Sequence, residues 1–178
     1  MMKNSPLEAV ETGMTFYGQI LPQVDVRKLV PMWHVFTLGH IVSIDLDRIS
    51  RRFGLSIADV HLLGTVRIER PRPIRAVDLA ATLNVSQAAL STRIDRLAKA
   101  GLLHKQRQDG DRRAFVLVLT GEGRRIADAS VEAFVKDAHM VRALDQLSED
   151  DRAALTRIVG SLHRELDRVI AAGVPGDA

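Results

Sequence analysis

Between Ile74 and Thr120 the residue pattern permits few folds. A short helical stretch (Arg75 to Leu83) leads through a turn to an amphipathic helix (Ser86 to Ala100). Two short strands follow, Leu103 to Arg107 and Ala114 to Leu119, joined by Gln108-Asp109-Gly110-Asp111-Arg112-Arg113. The Asp-Gly pair inside that turn is a strong short-range hairpin signal, although this loop is longer than two residues. In the Ser86 helix, Leu90, Ile94 and Leu97 share one face. Ala88, Thr92, Asp95, Arg96 and Lys99 point the other way, and Gln87, Ser91 and Arg93 lie on the flanks. The order of elements is that of a helix-turn-helix followed by a β-hairpin wing.

Such a unit fits a major groove and the adjoining backbone. The first half of the Ser86 helix is built of short residues that let it approach base edges, while Gln87 and Arg93 can make bidentate bonds to adenine or guanine. Ser86 suits either a helix cap or a phosphate contact, because the free N–H groups of a helix start serve both. Arg112 and Arg113, beyond the hairpin tip, are costly to bury and can reach a minor groove or its phosphates. In an isolated turn they would be read as a solvated charge pair; beside a helix-turn-helix, DNA contact is the better reading. The formal charge of the whole chain is only +3, so the pI of 9.7 is weak evidence for a polyanion. Its distribution says more: Arg93, Arg96, Lys99, Lys105, Arg107, Arg112 and Arg113 outnumber Asp95, Asp109 and Asp111 within the proposed reading head.

The rest of the chain reads as helical. Ser5-Pro6-Leu7-Glu8 has capping-box form and predicts a helix from Pro6 to Leu21 that lays one apolar stripe on the body. A second, more apolar helix is expected over Pro31 to Phe53, closed by Arg51-Arg52 and Gly54, and a third from Ile57 to Glu69, stopped by Pro71 and Pro73. Thr120 caps a further helix. The last starts at Ser148 with three acids in its first turn, and its apolar positions form a stripe too wide for one small core, which points to a partner subunit. The expected division is 1–54 (N-terminal helices of a dimerisation region), 55–120 (winged helix-turn-helix) and 121–178 (C-terminal dimerisation helices).

With 46% hydrophobic and 26% charged residues the chain is globular rather than disordered. Cysteine is absent, which excludes disulfides and thiolate chemistry. No stretch is read as approaching the roughly 20 apolar residues of a membrane span, nor is a signal peptide evident, so no membrane partner and a cytoplasmic location are expected.

Leu79-Ala80-Ala81-Thr82-Leu83-Asn84-Val85-Ser86, Ser91-Thr92-Arg93-Ile94-Asp95-Arg96-Leu97-Ala98-Lys99-Ala100-Gly101-Leu102-Leu103, Asp109-Gly110-Asp111-Arg112-Arg113 and Leu119-Thr120-Gly121-Glu122-Gly123, taken in order, resemble the MarR family of winged-helix transcription regulators. The resemblance covers roughly residues 31–170. It implies a mainly α fold with a small β-hairpin wing and a helical dimerisation region, in which a homodimer binds a pseudo-palindromic double-stranded operator. It places Gln87 and Arg93 at major-groove positions, Arg112 or Arg113 as the wing arginine, and Asp111 as the acid orienting it. With Ser86, Ala88, Ser91, Thr92 and Arg96 these make the candidate DNA-contact set. Family members commonly hold a small aromatic or anionic effector between the dimerisation helices and the head, for which Trp33, His34, Phe36, His40, His61 and Arg93 are the candidates. The extra N-terminal helix is similar to that of a urate- and phenolic-responsive subgroup, whose helix-borne acid falls at His61 here.

Rival functions have less to stand on. The chain has no G-x-S-x-G elbow, no phosphate-cradling glycine loop and no cysteine nucleophile, so an enzyme is not expected, and no cofactor is implied. Six histidines (His34, His40, His61, His104, His139, His163) raise a metal-responsive alternative, but no two of them show the i, i+4 spacing of a helical zinc site. A module that packages DNA without sequence choice, or docks another protein, is the remaining alternative.

Overall fold

The computed structural model describes residues 5–68, 74–108 and 111–171, with residues 74–76, 107–108, 111–115 and 170–171 described by backbone alone. Two compact units result, residues up to Ala138 and residues from His139 onward.

In the first unit, α1 (Pro6–Ile20) starts with the expected capping box: the Ser5 hydroxyl accepts from the Glu8 N–H at 3.1 Å and the Glu8 carboxylate accepts from the Ser5 N–H at 2.7 Å. A 3-10 turn (Val26–Leu29) precedes α2 (Val30–Ser50), which carries Pro31 in its first turn, where a missing N–H does no harm. A second 3-10 turn (Arg51–Phe53) leads to α3 (Ile57–Ile68). The winged segment comprises β1 (Ile74–Arg75), α4 (Ala76–Thr82), α5 (Gln87–Lys99), β2 (Leu103–Gln108) and β3 (Asp111–Leu119), and α6 (Gly121–Asp137) follows. The second unit is α7 (His139–Leu144) and α8 (Glu149–Ala171).

The mainly α fold with a small wing is the one anticipated, with four differences in detail. The wing is a three-stranded antiparallel sheet in the order β1-β3-β2. Residues 74 and 75 pair with Phe115 and Ala114, so residue 75 does not start the α4 helix, since a neighbouring edge can recruit a two-residue strand too short to show alternation. β3 begins at Asp111 and pairs with Gln108 across a register shift, so the turn is tighter than its sequence implied; Asp109 and Gly110 lie outside the described residues. The helix α7 was not anticipated.

The fourth difference concerns α1 and α2. Only Val10 of α1 is buried, while Leu7, Tyr17 and Leu21 of the expected apolar stripe are exposed. Contrary to the sequence reading, the stretch Val26–Phe53 is long and apolar enough by length and composition to cross a bilayer. Its charges lie at the two ends, Arg27 and Lys28 at the start and Asp45, Asp47, Arg48, Arg51 and Arg52 in the last turns, with no Asp, Glu, Lys or Arg between them. The helix nevertheless packs against α1, α3 and α6, and Arg48 and Arg52 both bond Asp137 at the end of α6, as in a helical bundle.

The core sits in the winged segment. Leu62 and Leu63 of α3, Leu79 and Leu83 of α4, Leu90, Ile94 and Leu97 of α5, Leu103, Leu117 and Leu119 of the strands and Ile126 of α6 form one buried cluster. Its tightest joint is where β3 enters α6. The Thr120 hydroxyl accepts from the Gly123 N–H at 3.0 Å and donates to the Gly101 carbonyl at 2.7 Å, while the Thr120 N–H bonds the Leu102 carbonyl at 3.0 Å. A Cβ at Gly123 would stand 1.9 Å from that Leu102 oxygen, so only glycine fits. Gly123→Ala is therefore expected to destabilise the protein by about 3 kcal/mol, seen in urea unfolding as a lower midpoint with an unchanged slope.

Candidate nucleic-acid interface

The geometry of α5 follows from its two ends and its buried face. The Ser86 hydroxyl accepts from the Ala89 N–H at 3.2 Å and caps the start. The turn before it runs through Asn84 at φ 50°, a left-handed conformation that asparagine tolerates, and the Val85 N–H closes back on the Ala80 carbonyl at 2.9 Å. At the far end Gly101 takes φ 71° and the Leu102 N–H returns to the Leu97 carbonyl at 3.0 Å. Leu90, Ile94 and Leu97 are almost wholly buried. Gln87, Ala88, Ser91, Thr92, Arg96 and Lys99 are therefore exposed together, and Arg93 is half-buried on the flank. The Thr92 hydroxyl bonds back to the Ala88 carbonyl at 3.0 Å and turns its methyl group to other contacts.

Two ion pairs hold this helix from either side. Asp95 bonds Lys105 of β2 at 2.8 Å, which holds its carboxyl below the ordinary aspartate range. Arg96 donates to Asp59 of α3. The Asp59 side chain is 4% exposed, and its other oxygen accepts from the Ser56 hydroxyl at 2.7 Å and the Ser56 N–H at 3.0 Å. Burial pushes the Asp59 carboxyl up, but the bonds from Ser56 and Arg96 together outweigh it and hold the group below its ordinary value of 3.8. Arg96 is thus a tethered cation, still largely open to solvent at its flank of α5. Sequence reasoning missed Asp59; its spacing from Ser56 at the start of α3 was the available signal. The candidates Asp111, Arg112 and Arg113 stand on β3, and their side chains lie outside the described residues.

Three of the six effector candidates line two separate cavities. Trp33 and Phe36 line a cavity of about 670 Å3 between α1 and the start of α2. His40 lines a second, of about 440 Å3, with Ser43, Asp47, Arg48, Arg51 and Ile57. Neither cavity is lined by His34, by the exposed His61 or by Arg93. In the second cavity one Asp47 oxygen caps the Ile57 N–H at 3.0 Å and the other accepts from Arg51 at 2.8 Å, and the backbone bond, ahead of Arg51, keeps the carboxyl low despite partial burial. Among the described residues no three His, Asp or Glu side chains gather in a way that could hold a metal ion.

A winged helix-turn-helix with an open, capped second helix is the architecture of a DNA reader. The MarR family model matches residues 55–115, the stretch from α3 to the wing. The transcriptional regulator PecS of Dickeya dadantii is 26% identical over 146 residues, spanning 82% of this chain and 87% of PecS. Among solved structures, AbsC, a MarR family transcriptional regulator from Streptomyces coelicolor, aligns with a TM-score of 0.64 at 23% identity over 80% of this chain and 95% of its own. A mutant E. coli MarR complexed with operator DNA aligns with a TM-score of 0.63 at 21% identity, over 82% and 96%. The segment from α3 to the wing thus matches the MarR family model, and over most of its length the chain is similar to transcription regulators.

Because Asp59 titrates lower in the folded chain than free, its contribution to stability is complete above its ordinary pKa and is lost as pH falls through the depressed folded value. Asp59→Asn is expected to cost about 1–2 kcal/mol at pH 7 and much less in strong acid. Urea midpoints of the two proteins across the acid range would show the gap narrowing as pH falls.

Proposed function

We propose that this transcription regulator works as a homodimeric, ligand-responsive repressor on a pseudo-palindromic operator. The observation that carries the DNA reading is the outward face of α5, where short side chains and Gln87 stand exposed between Arg93 and Arg96 while the opposite face is locked into the core. In this reading Gln87 and Arg93 read base edges, with Ala88, Ser91 and Thr92 allowing close approach. Ser86 and Arg96 approach phosphates, and Arg112 or Arg113, oriented by Asp111, engages the minor groove.

Support for the dimer comes from apolar residues left open in the single chain. In α8, Ile158, Val159, Leu162, Leu166 and Val169 are all about half exposed, a stripe that burial against a second copy would cover. Residues 1–54 and 121–178 then form the dimerisation region and 55–120 the head. The open apolar surface of α2 suits the same role better than a bilayer, since its last turns hold paired charges. A cytoplasmic, non-enzymatic protein follows, acting on the promoter of a neighbouring gene and releasing it when a small aromatic or anionic effector binds.

Band-shift titrations against the chain's own upstream DNA and against random duplex test this directly. Specific binding is expected to be roughly a thousandfold tighter than random binding, and sedimentation should report a dimer. Arg112→Ala with Arg113→Ala is expected to weaken binding to every sequence and flatten the salt slope by about 2. Gln87→Ala is expected to cost about 1–3 kcal/mol at its own base pair alone. Equal affinity for both DNAs would overturn the reading in favour of a packaging protein.

A further inference from the structure

The cavity between α1 and α2 has a chemical character that narrows its ligand. Its walls come from two directions, Val10, Met14 and Tyr17 on α1 and Trp33, Phe36 and Thr37 on α2, and the 3-10 turn closes one end. Trp33 and Phe36 meet edge to face at 5.6 Å and give the wall a rigid aromatic corner. At about 670 Å3 it lies within the range of small-molecule sites. No charged side chain lines it among the described residues; its side-chain polar groups are the Tyr17 and Thr37 hydroxyls and the Trp33 indole N–H. An anion entering this space would shed water with no countercharge to replace it, whereas a neutral ring system has far less hydration to lose and can satisfy one polar substituent on a hydroxyl.

We propose that this cavity is a binding site for an uncharged, ring-bearing small molecule, with Trp33, Phe36, Met14 and Tyr17 as its walls. The proposal rests on the effector reading above and replaces its aromatic-or-anionic class by a neutral aromatic one at this site. It separates Trp33 and Phe36 from His40, whose cavity holds Arg48 and Arg51.

The test uses two probes of one shape and different charge, naphthalene-1-carboxamide and 1-naphthoate, with the full-length dimer. Trp33 is the sole tryptophan, so its emission reports the cavity wall without a label. The carboxamide is expected to quench Trp33 saturably and to bind at least tenfold tighter than the carboxylate by equilibrium dialysis. Gly13 faces the cavity with nothing within 4 Å of an added Cβ, so Gly13→Leu fills the space from a helical position that favours leucine over glycine. This variant should lose the probe by tenfold or more while keeping its melting temperature and its affinity for upstream DNA. Equal binding of both probes, or full binding by Gly13→Leu, would overturn the site. Binding of neither probe would overturn it too, as expected if a second copy fills the groove. Upstream-DNA affinity measured without probe reports separately on the regulator reading, so failure of one is not mistaken for failure of the other.

Discussion

The reading head depends on the rotation of one helix about its own axis. Burial of Leu90, Ile94 and Leu97 sets that rotation, each contributing about 1.5–3 kcal/mol relative to an exposed position, because a 3.6-residue period leaves no other face for the core. Once the apolar face is fixed, Gln87, Ala88 and Ser91 have to point outward. The ion pairs at either flank add direction, Lys105 from the wing at an exposed site where the energy is small and the buried Asp59 from α3. Position along the axis comes from the ends, where the Ser86 cap and the Gly101 turn leave no freedom to slide.

Much of this was legible in the residues, and the reason is locality. Caps at Ser5, Ser86 and Thr120 act over three residues, and the amphipathic period of α5 spans barely three turns, so each can be read without knowing the rest of the fold. What escaped was made by distant partners. The strand at residues 74 and 75 exists because β3 offers an edge some forty residues later, and the Asp59 to Arg96 bond joins helices separated by the whole of α4. The six effector candidates were gathered by residue type, whereas the structure sorts some of them by which wall of α2 they occupy: Trp33 and Phe36 face α1, and His40 faces the α3 corner.

The N-terminal half carries a different balance of forces. α1 and α2 meet through few buried residues and keep much of their apolar surface open; α1 has a capping box at its start, whereas α2 has no side-chain cap. Such an arrangement suits a surface completed by something else, and it makes the same region apolar enough to resemble a membrane span by composition. The charged last turns of α2, tied to Asp137 of α6, anchor that open region to the closely packed head.

The joint at Thr120 ties the base of the hairpin to the first turn of α6. One hydroxyl bridges the end of α5 to the start of α6, the neighbouring backbone closes on Leu102, and Gly123 presses against that same carbonyl. The first turn of α6 and the base of the hairpin are therefore one bonded unit, so the end of β3 cannot be displaced without straining the Thr120 and Gly123 contacts.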